Sequence, residues 1–110
     1  MASTPDFVEY VCEQITNTGK IRHKKMFGEY MVYVNDKPIL LVCDNTVFVK
    51  RLDCLASPME NVQTGIPYPG AKVHYILDID DAELSRKIVS ILEPVTPLPK
   101  PKNSNKDKNR

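Results

Sequence analysis

A chain of 110 residues with 42% hydrophobic and 26% charged side chains suffices for one small domain around a single core. Its formal net charge of +1 hides a division: residues 94–110 carry five basic side chains against Asp107, whereas residues 1–93 carry 10 basic against 13 acidic. No apolar run approaches the roughly 18 residues that span a bilayer, and a folded body of net negative charge is a poor phosphate binder by itself.

The first element reads as a helix. Thr4 is placed to N-cap it, Pro5 suits the first helical position, and Asp6 and Glu9 favour the positive end of the dipole. Phe7, Val8, Val11, Cys12 and Ile15 form one apolar stripe, and Gly19 offers a stop. From Lys20 the period becomes that of strands. Lys20–Met26 and Glu29–Val34 are expected to be extended, followed by a tight turn at Asn35-Asp36. The apolar run Pro38–Cys43, the turn signal Asp44-Asn45 and the β-branched segment Thr46–Lys50 continue the pattern. Such short turns imply an antiparallel meander, because parallel strands need much longer connections.

Ser57-Pro58-Met59-Glu60 has the form of a capping box and predicts a short helix ending before Gly65. The two prolines of Ile66-Pro67-Tyr68-Pro69-Gly70 predict an irregular segment. Lys72–Asp78 reads as a strand with Val73, Tyr75 and Leu77 on one face and His74 and Ile76 on the other. Asp80 and Glu83 form a second capping box, before a final helix striped by Leu84, Ile88, Ile91 and Leu92 and ended by Pro94. This order, helix, three or four strands, short helix, a strand or strands, helix, argues for an α+β domain. An antiparallel sheet of about five strands is expected, with helices packed on it, over residues 1–93. Residues 94–110, rich in proline and lysine, cannot bury a core and are expected to form a disordered basic tail.

The residue types that carry chemistry are scattered. Cys12, Cys43 and Cys54 include no CxxC pair and no neighbouring histidine, a pattern of reduced thiols. His23 and His74 stand at no recognised motif spacing, and the acidic run 78–83 lacks the glycine and spacing of a calcium loop. The expectation is therefore a non-enzymatic protein with no catalytic, cofactor-binding or metal site. A small-ligand site would need a concavity where His74, Tyr75 or Cys43 meets carboxylates. The N-terminus lacks the basic start and apolar core of a secretory signal, so a cytoplasmic location without a membrane partner is expected.

Several segments together carry a family resemblance: Met26-Phe27-Gly28 behind basic residues, Tyr30-Met31-Val32-Tyr33, Val47-Phe48-Val49-Lys50, Gly65-Ile66-Pro67-Tyr68 and Val73-His74-Tyr75. The chain resembles the N-terminal domain of the TfoX/Sxy family over about residues 3–93. Near Pro67-Tyr68 the family usually has Pro-Phe, and the basic tail stands where its two-domain members carry a helical domain. The resemblance implies a two-layer sandwich of the secretion-chaperone-like type. It also implies a link to regulation of competence genes, alongside a transcription activator.

The Met26-Phe27-Gly28 corner has a structural reading, with Gly28 permitting a bend and Phe27 anchoring the hairpin in the core. It also has a functional one, in which a Met-Phe pair beside cations is adaptable contact surface. Arg22, Lys24, Lys25, Phe27 and Tyr30 are accordingly the candidate partner contacts. In a strand Arg22 and Lys24 share one face and His23 and Lys25 the other, and lysines on an edge also guard against aggregation. The function expected is that of a small regulatory or adaptor domain binding an unidentified protein. The alternative is weak nucleic-acid binding through the basic tail.

Overall fold

Four hairpins and one long-range strand pairing build the sheet. The computed structural model describes residues 3–26 and 29–98. Helix α1 (Pro5–Gln14) is followed by β1 (Ile21–Met26), β2 (Glu29–Val34), β3 (Lys37–Cys43) and β4 (Thr46–Lys50), then by β5 (Thr64–Gly65), β6 (His74–Leu77) and α2 (Ala82–Val95). The six strands form one antiparallel sheet in the order β1-β2-β3-β4-β6-β5. The fold is α+β, with helices packed on the sheet and one strand more than the sequence implied.

Local chemistry explains most of the elements. Thr4 caps α1, its Oγ1 accepting from the Phe7 N–H at 3.2 Å. Asn35 and Asp36 have φ of 54° and 67°, and Asp44 and Asn45 both have φ of 53°. These left-handed pairs form the mirror-image turns whose twist suits a hairpin, and Asn and Asp tolerate them. In β3 the register passes from Tyr33–Pro38 to Val32–Leu40, so Ile39 is an extra residue in a bulge. Ile39 and Leu40 are therefore both buried in the core, which simple alternation would not allow. Val8 and Val11 of α1, Ile15 just after it, and Ile88, Val89 and Leu92 of α2 close that core against Val32, Leu40, Val42 and Val49 of the sheet.

The structure corrects four boundaries. Helix α1 ends at Gln14, well before Gly19, because Asn17 already turns left-handed at φ 71°. The segment at Ser57 is not a regular helix. A single 3-10 turn at Asp53–Leu55 leads into turns, and the buried anchors Leu55 and Met59 are too few to sustain a helix. The N-cap of α2 is Asp81, accepting from the Leu84 N–H at 3.0 Å. Asp80 instead accepts the Tyr10 hydroxyl, a hydrogen bond that ties α1 to the entrance of α2 and raises the Tyr10 pKa. Pro94 lies inside α2 rather than ending it. The Thr96 N–H and Oγ1 both donate to the Leu92 carbonyl, at 3.0 and 2.7 Å, and close the helix after Val95. Phe27, Gly28 and residues 99–110, most of the expected tail, lie outside the described residues. Among those described, no helix is long and apolar enough to cross a membrane.

Gly19 has φ of +149°, and a Cβ there would stand 2.8 to 2.9 Å from the Asn35 side chain and Val34 Cγ1. Gly19→Ala is expected to destabilise the domain by about 1 to 3 kcal/mol in a denaturant melt. A second expectation concerns acid. Lys37 Nζ lies 3.1 Å from Glu93 Oε2 and donates to the Glu93 carbonyl at 2.8 Å, while Asn35 Nδ2 donates to Oε2 at 3.3 Å. The Lys37 hydrogen bond first, then that of Asn35, holds the Glu93 carboxyl below its ordinary value. A carboxyl lowered on folding stabilises above its unfolded pKa, and that contribution is lost as pH falls through the folded pKa. Wild type should therefore outlast Glu93→Gln in denaturant at about pH 7, and the difference should shrink as pH falls below the ordinary carboxylate range.

Candidate functional site

Both helices pack on one face of the sheet, and the other face is built from cross-strand partners that point away from them. Met26 with Glu29, Lys24 with Met31, Met31 with Leu41, Leu41 with Phe48, Phe48 with Ile76, and Lys50 with His74 share this second face. Toward β5 the face closes on itself. Phe48 is 7% exposed, covered in part by Ile76, and the edge of its ring meets His74 with centroids 6.4 Å apart. Gly65 completes the cover, since a Cβ there would lie 3.2 Å from Ile76 Cδ1 and 3.4 Å from Phe48 Cε1.

Toward β1 the same face stays open as an apolar cleft of about 480 Å3, lined by Met26, Glu29, Met31, Leu41, Cys43 and Tyr68. Glu29 is fixed in its wall: its Oε1 accepts from the Asp44 N–H at 3.1 Å and from Ser3 Oγ at 3.4 Å. Cys43 is 1% exposed, and burial first, then the charges of Glu29 and Asp44, pushes its thiol up to about 11. That thiol stays protonated near neutral pH and serves as a small apolar wall. Tyr68 reaches the cleft from the β5–β6 connection. The Ala71 N–H donates to the Tyr68 carbonyl at 3.0 Å, and Gly70 has φ of +88°. With Pro69 before it, this is a type II turn, a regular device within a segment expected to be irregular.

On its other side Tyr68 borders a second, polar cleft of about 820 Å3. Its lining includes Lys50, Arg51, Lys72 and His74, together with Tyr75 and one carboxylate, that of Asp53. The β4–β6 pairing sets Lys50 directly opposite His74. The Arg51 guanidinium lies 5.5 Å over the Tyr75 ring, and His74 Nδ1 is 2.8 Å from the Lys72 carbonyl. A carbonyl oxygen can only accept, so Nδ1 carries the hydrogen. Here His74 and Tyr75 line a concavity with the Asp53 carboxylate, and Cys43 lines the apolar cleft with that of Glu29. The four basic side chains escape a reading of the sequence because the two pairs, 50–51 and 72–74, are brought together by strand pairing across the intervening connection.

The contacts proposed from sequence are dispersed by the sheet. Arg22 and Lys24 lie on the open face, and Arg22 is already engaged by Asp36 at 3.1 Å and by the Tyr33 ring, 4.2 Å from its centroid. Lys25 pairs with Tyr30 and points to the opposite side. Tyr30 is 6% exposed within the core, where His23 meets it edge-on, so its burial removes it from the contact surface. Phe27 and the basic residues of the tail lie outside the described residues. Among the described residues no group of three histidine, cysteine or carboxylate side chains is placed to hold a metal ion.

No family model matches the sequence. The chain is 31% identical over 106 residues to the uncharacterised 12.7 kDa protein in the trpE 5′ region of Spirochaeta aurantia, an alignment covering 94% of this chain and 92% of the other. It belongs to the same family as that protein.

The thiols provide a check on the cleft geometry. Cys54 is exposed and Cys43 buried. In a timed alkylation near pH 8, read by peptide mass, Cys54 should be modified at least about tenfold faster than Cys43, which should react at a comparable rate after denaturation.

Proposed function

We propose that the protein is a small, non-enzymatic regulatory or adaptor module that recognises another protein on the open face of its sheet. The observation that carries this reading is the apolar cleft between Met26, Met31, Leu41 and Tyr68, a concavity that the domain's own helices leave uncovered. Adjoining apolar side chains, two of them flexible methionines, suit an apolar side chain from a partner.

The edge strand β1 adds a means of holding that partner. The Asn35 N–H donates to the Lys20 carbonyl at 2.8 Å, which sets the parity of the ladder. Lys20, Arg22, Lys24 and Met26 then bond toward β2, and Ile21, His23 and Lys25 present their backbone groups outward. An extended segment with an apolar anchor and acidic neighbours fits this edge and its lysines. The TfoX/Sxy resemblance supports assigning the chain to that group, with an output in transcriptional regulation, competence included, and a place in the cytoplasm.

The test compares tagged full-length variants in the native cell by quantitative mass spectrometry. A partner captured by wild type and by the α2 surface control Ser90→Lys should fall about tenfold with Met31→Lys, at unchanged melting behaviour. Retention of the same partners by Met31→Lys would place the contact elsewhere.

A further inference from the structure

We propose that the polar cleft at the β4–β6 end of the sheet binds a small phosphorylated ligand that carries a flat ring, a free nucleotide by class. Lys50, Arg51 and Lys72 border it against the single carboxylate of Asp53. Among the described residues none of these three cations is in an ion pair. Cations converging on one concavity with so little compensating charge create a local positive potential, which a bound anion relieves.

The groups are also held in place rather than merely close. The Arg51 guanidinium lies 5.5 Å from the centroid of the Tyr75 ring, a cation–π contact that narrows its range and leaves its donors for a phosphate. Lys50 stands on a paired strand opposite His74. The His74 hydrogen bond to the Lys72 carbonyl fixes the ring's tautomer and leaves Nε2 as an acceptor for a donor group on the ligand. Tyr68 supplies the remaining requirement. It is 54% exposed, borders the cleft, and is presented by a turn that Pro69 stiffens and Gly70 permits, which makes it the aromatic side chain offered for stacking.

The size and charge of the site favour a free ligand over a nucleic-acid strand. A volume of about 820 Å3 accommodates one nucleotide. Outside the cleft the cations are not continued: residues 1–93 hold 10 basic side chains against 13 acidic, so a longer polyanion meets net repulsion beyond it. This proposal does not rest on the protein-binding reading, and the two clefts meet at Tyr68.

An amide NMR titration of the full chain with AMP at low salt tests it, with adenosine, inorganic phosphate and oligoadenylate as separate arms. The expected result is saturable shifts at Lys50, Arg51, Tyr68 and residues 72–75, with AMP about tenfold tighter than adenosine or phosphate. Arg51→Ala and Lys72→Ala, both at exposed positions, should each weaken AMP about tenfold. Tyr68→Ala should weaken AMP while leaving phosphate binding unchanged. Absence of shifts in the cleft, shifts confined to residues 99–110, or adenosine binding as tightly as AMP would overturn the proposal. Oligoadenylate binding about tenfold tighter than AMP would reassign the site to nucleic acid and overturn it as well.

Discussion

The pairing of β4 with β6 is the strand contact on which the rest of the molecule depends. The other pairings join strands that are neighbours in the chain. Here Val47, Phe48, Val49 and Lys50 meet Leu77, Ile76, Tyr75 and His74 only after the chain has passed through a 3-10 turn, β5 and the type II turn. Closing that excursion costs chain entropy, which side-chain burial on both faces of the two strands offsets. Val47, Val49 and Leu77 bury toward the helices, and Phe48 and Ile76 pack on the far side. The same pairing directs the chain into α2, whose apolar side completes the core, and places Lys50 beside His74.

The two faces of the sheet have different energetics. On the helix side, Val8, Val11, Val32, Leu40, Ile88 and Val89 are fully buried, a density of contact that makes this layer the main source of stability. On the far side burial is graded. It is nearly complete at Phe48 and partial at Met31 and Leu41, and it ends at the exposed Tyr68. An antiparallel sheet tolerates one solvated face, but that face is ordinarily polar. A face that stays apolar at its centre is shaped by more than packing, and the proposed protein contact falls there. The polar cleft lies at the end of the sheet, where Lys50 and His74 point to this face and Tyr75, beside Arg51, to the other.

Particular residues show what was legible in the sequence. The cap at Thr4, the turns at Asn35-Asp36 and Asp44-Asn45, and the alternation through Glu29–Val34 act over a few residues, so their chemistry is written locally. The misplaced features are those in which distant contacts overrule a local signal. Asp81 caps α2 while Asp80 holds Tyr10 of α1, Thr96 rescues the turn that Pro94 would have ended, and Ser57-Pro58 heads a run of turns in which Leu55 and Met59 are the fully buried anchors. The basic cluster of β1 is divided by strand alternation already in the sequence, and pleating does send Lys24 and Lys25 to opposite sides.

By itself the sequence determined the α+β class, the strands of the meander, the two hairpin turns and a chain without a recognised catalytic motif. Each of these follows from periodicity or turn chemistry acting over a few residues. Tertiary structure alone decided which face the helices cover, that Tyr30 is a core residue, and that Met26, Met31 and Leu41 border one cleft. It alone brought Lys50 and Arg51 beside Lys72 and His74. The reason is that strand order and register are set by long-range pairing and a shared core, and neither leaves a mark in the spacing of neighbouring residues.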